Sequence, residues 1–98
     1  MKIIFINGSR GEWGYIQAII DILIEKDISY GIVATNMLVS QEHGMLVESI
    51  KRAGYNVVEE ISTRIEGDTH HAFVKTMGYL TASLADTFKR EQPDWIVL

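Results

Sequence analysis

At 98 residues the chain suits one domain or part of one, and 47% apolar with 22% charged residues is the make-up of a folded globular chain, which excludes disorder. Nine basic against thirteen acidic residues give a net charge of −4 with no basic run or stripe, so a nucleic-acid backbone is a poor partner. The lack of cysteine excludes disulfides, thiolate catalysis and cysteine metal sites and fits a reducing cytoplasm, and no apolar stretch approaches the ~20 residues of a membrane-spanning helix.

Lys2 to Ile6 is a near-continuous apolar run, the mark of a parallel strand buried on both faces. It is too short for a signal peptide, and Asn7-Gly8-Ser9-Arg10 ends it with polarity and charge. Trp13, Ile16, Ile19, Ile20, Leu23 and Ile24 then recur at helical spacing and predict one apolar stripe, with Glu12 and Lys26 placed to suit the helix dipole. Ser29 to Ala34 reads as a second strand, broken by Thr35-Asn36. Ser40 is the expected N-cap of a second helix reaching about Ala53, with Leu46, Val47 and Ile50 facing its core and Gly54 ending it. Asn56 to Ile61 is a third strand.

Gly67-Asp68-Thr69 opens the longest predicted helix, with Asp68 at or beside its cap. Phe73, Met77, Leu80, Leu84 and Phe88 form its stripe, and Pro93 stops it. Asp94 to Leu98 is a fourth strand. The order β-α-β-α-β-α-β calls for an α/β, Rossmann-like parallel sheet with right-handed crossovers and strand order 3-2-1-4, the first half of a doubly wound sheet. Ligands of such sheets bind beyond the carboxyl ends of the strands where the winding reverses, here between strands one and four. Residues 7 to 11 supply one half of that crevice. Nothing covers the last strand, so the expectation is that more protein belongs downstream of Leu98.

The turn Asn7-Gly8-Ser9-Arg10-Gly11-Glu12-Trp13-Gly14 carries the chemistry. Gly8 permits a tight turn and close approach of a ligand to the backbone. The helix start offers free N–H groups and positive partial charge to a phosphate, and Arg10 adds a guanidinium that can grip it in a bidentate way. The spacing is Gly-x-x-Gly-x-x-Gly, not the dinucleotide Gly-x-Gly-x-x-Gly, and Val33-Ala34-Thr35-Asn36 lacks the ribose-binding acid, which disfavours NAD. No Gly-Lys-Ser/Thr is present, which disfavours a P-loop. Glu12 is expected to serve the dipole and to orient Arg10. Trp13 reads as core or interface. Adjacent helical residues diverge too far to share one ion, so His70-His71 is a solvated helix start and no metal site is expected. Glu59, Glu60 and Glu66 read as solvated surface.

Gly8-Ser9-Arg10-Gly11-Glu12-Trp13-Gly14 resembles the Gly-Ser/Thr-Arg-Ala-Asp/Glu-Tyr-Gly opening of UDP-N-acetylglucosamine 2-epimerases. Ala34-Thr35-Asn36-Met37-Leu38-Val39-Ser40 is similar to that family's Val-Thr-Gly-Met-His-Leu-Ser, and Glu42-His43-Gly44 falls where Glu-Tyr-Gly is usual. Gly67-Asp68-Thr69 and Gln92-Pro93-Asp94-Trp95 follow in register. Trp13, and the lack of proline after Arg10, look more like the hydrolysing branch. Three positions depart from the pattern: Leu38 stands for His, Met45 for the Asn after Tyr-Gly, and Asn36 for Gly.

The resemblance implies two Rossmann-like domains in the glycosyltransferase-B arrangement, of which residues 1–98 are part of the first and the second is absent. It implies a UDP-sugar held in the cleft, with UDP eliminated to leave a 2-acetamidoglucal. Water then adds to give N-acetylmannosamine, or UDP re-adds. Arg10 falls on the family arginine that contacts UDP, with Gly8, Ser9 and Gly14 beside it and His43 a weaker candidate. The resemblance places the catalytic carboxylates beyond Leu98, so the isolated 98 residues are expected to be inactive. No cofactor is expected, and family members form dimers or tetramers. The competing reading is a small non-catalytic module of flavodoxin-like or CheY-like shape, which needs a fifth strand, a further helix and an acidic cluster that the chain lacks.

Overall fold

Unbroken apolar sequence commits the first strand to the middle of a sheet. In the computed structural model, which describes residues 1–40, 44–62 and 69–98, β1 (Lys2–Asn7) lies between β2 (Ser29–Thr35) and β4 (Trp95–Val97). β3 (Val57–Ile61) lies outside β2, so the order is β3-β2-β1-β4 with every pairing parallel, as the sequence predicts. Along β1, Lys2 to Asn7 stand opposite Ser29 to Ala34 of β2. β4 pairs only from Ile3 to Phe5, which leaves the Asn7 end of β1 beyond its paired residues.

The two faces of β1 are covered by different helices, which is why the strand shows no polar alternation. Phe5 joins a cluster with Ile32, Ala34 and Leu38 under α1 (Arg10–Glu25) and α2 (Leu46–Arg52). Ile4 and Ile6 join Val33 and Ile61 on the opposite face, under α3 (His70–Glu91). α1 buries Ile16, Ile20 and Leu23, but Ile19 and Ile24 are 47% and 53% exposed. The expected stripe is therefore narrower than the run of isoleucines. The two outliers flank the line that faces the sheet, and one flat layer reaches only that line.

The segment after β2 departs further from expectation. Asn36–Val39 forms a 3-10 helix, and Ser40 does not cap α2. Instead Met45 holds the N-cap position at φ 48° without a side-chain cap bond, and its N–H donates to the Ser40 carbonyl at 3.0 Å. Gly44 at φ +86° and Met45 are both left-handed, and that break prevents a helix running through from Ser40. Val47 and Ile50 are buried and Leu46 half-buried, as predicted, and Gly54 at φ +92° follows the end of α2.

α3 starts from Thr69, whose Oγ1 accepts the Ala72 N–H at 3.1 Å; Gly67 and Asp68 lie outside the described residues. Leu80, Leu84 and Phe88 pack on the sheet, but Phe73 and Met77, expected in the same stripe, are 66% and 47% exposed. The reason is length. A helix of 22 residues runs roughly 33 Å, more than strands of three to seven residues can cover, and its N-terminal half buries only Ala72. At the amino edge of the sheet, Lys2 ties the elements together: its Nζ meets Glu91 Oε1 at 2.6 Å and its N–H donates to Asp94 Oδ2 at 2.8 Å. Among the described residues no helix is long and apolar enough to cross a membrane.

Candidate functional site

The turn between β1 and α1 is built by three local hydrogen bonds. Asn7 is fully buried, and its Oδ1 accepts the Ser9 N–H at 3.3 Å, which folds the chain back as soon as the strand ends. Ser9 is extended (φ −148°, ψ 157°) and caps α1, its Oγ accepting the Glu12 N–H at 3.3 Å. The Glu12 carboxylate reaches back so that Oε2 accepts the Gly8 N–H at 3.1 Å. Among the described residues no acceptor is shown for the N–H groups of Arg10 and Gly11. They keep the positive end of the helix dipole open to an anion.

Gly8 is where the two strand ends meet. A Cβ there would lie 3.3 Å from Thr35 Oγ1 and 3.5 Å from Asn36 Cβ, so a side chain would push the turn away from the end of β2. Arg10 is exposed, and its Nη2 lies 3.7 Å from where a Cβ of Gly44 would stand. The guanidinium therefore extends from the first turn of α1 to the segment after β2, along the carboxyl edge of the sheet. Among the described residues it has neither a hydrogen bond nor an ion pair. Gly14 lies one turn further on the same helix face, and no neighbour within 4 Å would meet a Cβ there, which leaves open space beside Arg10.

Glu12 does not orient Arg10 as expected. Residues two apart on a helix point away from each other, and this carboxylate is taken by the Gly8 amide. Trp13 packs edge-on against Tyr55, with ring centres 5.1 Å apart, and so anchors α1 to the segment between α2 and β3. Tyr55 in turn donates to Asp21 at 2.8 Å and accepts from Gln17 at 3.0 Å. His43 lies outside the described residues. His70 and His71 are exposed, and among the described residues no group of three His, Asp or Glu side chains could hold a metal ion.

Sequence reasoning treated Asn7 as a strand boundary and passed over its chemistry. Its Nδ2 is buried and has no hydrogen-bond partner among the described residues. An Asn directly before Gly-Ser at a strand end was the available signal, since Asn bonds its own backbone two residues on. A cavity of about 300 Å³ lies elsewhere, between the end of β3 and α3, lined by Glu59, Glu60, Ser62, Ser83, Asp86 and Thr87. Three carboxylates make it electrostatically wrong for a phosphate.

Two of the three departures from the 2-epimerase pattern fall on left-handed backbone. Asn36, in place of Gly, has φ 52°, and Met45, in place of Asn, has φ 48°. Gly and Asn are the residues that favour this conformation, so Asn36 suits its backbone and Met45 is the one of the two that does not. The third, Leu38, is 1% exposed and packs in the core beneath α1 and α2, so it serves burial.

No family model matches the chain. It is 26% identical over 98 residues to the GDP/UDP-N,N'-diacetylbacillosamine 2-epimerase (hydrolyzing) of Campylobacter jejuni, and 22% identical over 98 residues to polysialic acid biosynthesis protein P7 of Escherichia coli. Each match takes in 99% of this chain but 25% of the relative. The chain is thus similar, along nearly its whole length, to a quarter of a hydrolysing 2-epimerase, which bears out the resemblance read from its motifs.

Proposed function

We propose that this chain is the opening portion of a hydrolysing nucleotide-sugar 2-epimerase and that residues 7 to 11 receive the diphosphate of its substrate. In this reading it forms part of the first of two domains, with the second closing over a UDP-sugar, UDP-N-acetylglucosamine or a related acetamido sugar. The reaction removes the proton at C2 and breaks the bond from C1 to the diphosphate oxygen, leaving a 2-acetamidoglucal. Water then adds across the double bond, hydroxyl to C1 and proton to C2, and frees the epimerised sugar.

The turn acts on the leaving group. As the C1–O bond breaks, negative charge gathers on the phosphate oxygen. The Arg10 guanidinium and the N–H groups at the start of α1 are the donors that would meet that charge, which is where such groups lower a barrier most. The proton transfers belong to carboxylates outside these 98 residues, so the isolated chain is inactive. The observation that carries the reading is the Arg10 guanidinium, without a partner among the described residues and placed between the first turn of α1 and Gly44 at the carboxyl edge.

Calorimetry of UDP binding to the full-length protein tests it. Arg10→Ala should weaken binding by roughly 1.5–3 kcal/mol, the worth of a hydrogen bond to a charged group, and Arg10→Lys should recover part of the loss. Unchanged UDP affinity in Arg10→Ala would remove Arg10 from the site and this reading with it.

A further inference from the structure

The turn already holds an anion of its own. Glu12 is exposed, yet its Oε2 sits on the Gly8 N–H at 3.1 Å, at the end of α1 where a phosphate oxygen would bind. A diphosphate drawn to Arg10 meets this like charge on arrival. A second observation concerns Asn7, at the base of the same turn. Asn7 is fully buried beneath it, held by Oδ1 on the Ser9 N–H, and its Nδ2 has no partner. A buried donor without an acceptor is costly to keep, and such groups call for an explanation in function.

We propose that Glu12 is a resident anion that occupies the Gly8 amide until a phosphate oxygen of the ligand replaces it, and that it thereby sets the affinity of the site for diphosphates. This rests on the reading of residues 7 to 11 as the diphosphate site. While the site is empty, the carboxylate satisfies the Gly8 amide and steadies the positive end of α1. When the ligand enters, one hydrogen bond to Gly8 is exchanged for another, and the exposed side chain turns into solvent at little cost. The carboxylate also repels anions too weakly held to displace it.

The test is UDP binding to the full-length protein by calorimetry at low and high salt, with Glu12→Gln, Glu12→Ala and Arg10→Ala, and with thermal unfolding to verify that each variant folds. Glu12→Gln keeps an acceptor for Gly8 but removes the charge; Glu12→Ala removes both. Both should bind UDP several-fold more tightly than the parent, with a gain that shrinks at high salt, and both should melt slightly lower because α1 loses its N-terminal charge. A purely structural Glu12 would give equal or weaker UDP binding in both folded variants, or a gain insensitive to salt, and either result overturns the proposal. If Arg10→Ala weakens binding while the Glu12 variants gain nothing, only the role of Glu12 fails. If Arg10→Ala changes nothing, the diphosphate reading itself fails.

Discussion

Gly31→Ala probes whether β2 is held where the site needs it. Gly31 lies in β2 opposite Ile4 of β1 and is buried. A methyl built there would stand 2.8 Å from Val58 Cγ1 and 2.9 Å from Ile4 Cδ1. Carbon atoms prefer about 3.5–4.0 Å, so both side chains must retreat by roughly 1 Å. Ile4 is fully buried and has nowhere to go, and Val58 is β-branched with restricted rotamers. Overpacking of this kind costs about 1–3 kcal/mol. Loss of glycine's freedom in the unfolded chain returns about 0.4–1 kcal/mol. The net destabilisation should be about 1–2 kcal/mol, read from urea unfolding midpoints. Val58→Ala alone should cost about 1 kcal/mol, for methyl groups only partly removed from water. Combined with Gly31→Ala it should cost less than the sum by about 1 kcal/mol, because the truncated side chain makes room for the new methyl. Stability within about 0.5 kcal/mol of the parent in Gly31→Ala, or strict additivity in the double variant, would refute the packing argument.

Two further outcomes concern the amino edge and the segment after β2. The Lys2 ammonium, and then Arg90, hold the Glu91 carboxyl below its ordinary range, so Glu91 contributes stability above that range and loses it as pH falls through the lowered value. Glu91→Gln should therefore be less stable by about 1 kcal/mol near neutral pH, the upper end for such a pair. In urea titrations the gap should close on acidification, and a gap independent of pH would contradict the assignment. Met45→Asn should be about 1 kcal/mol more stable than Met45→Ala, because Asn tolerates the left-handed backbone at φ 48° and can cap α2. Thermal unfolding of the two variants side by side measures this, and equal melting temperatures would show that the left-handed cap carries no cost.

Strand order and layering were legible because they follow from alternation and apolar runs alone. Lys2 to Ile6 read as a strand buried on both faces, and Phe5 on one face and Ile4 and Ile6 on the other are covered. What escaped were features set by how far one element extends past another. Ile19 and Ile24 match the helical period as well as Ile20 does, and only the width of the sheet decides that they stay exposed. Phe73 and Met77 continue the α3 stripe in sequence but run past the strands beneath. Ser40 is a good N-cap by type, but a left-handed Met45 leaves no mark in the sequence, and it moved the helix start. In the site, Gly8, Ser9 and Arg10 were readable as a turn. The Gly8 N–H bond to Glu12 and the Asn7 bond to Ser9 left signals in Ser9-x-x-Glu12 and Asn7-Gly8-Ser9 that were passed over, whereas the complete burial of Asn7 depends on closure of the turn and left none.

The distribution of unsettled groups is an argument for where function lies that does not depend on the resemblance. Among the described residues, non-glycine positions with positive φ are Asp27, Asn36, Met45 and Gln92. Asp27 and Gln92 follow the ends of α1 and α3, where a left-handed residue is the ordinary way to stop a helix. Asn36 and Met45 stop none. They shape the segment after β2 toward which Arg10 extends, and Gly44 beside them shares the conformation. The Asn7 amide nitrogen and the Arg10 guanidinium, both without a partner among the described residues, belong to the same edge. The opposite edge, by contrast, is closed by Lys2 with Glu91 and Asp94. Unmet donors on one edge, beside a helix start, support the proposal that an anion binds there.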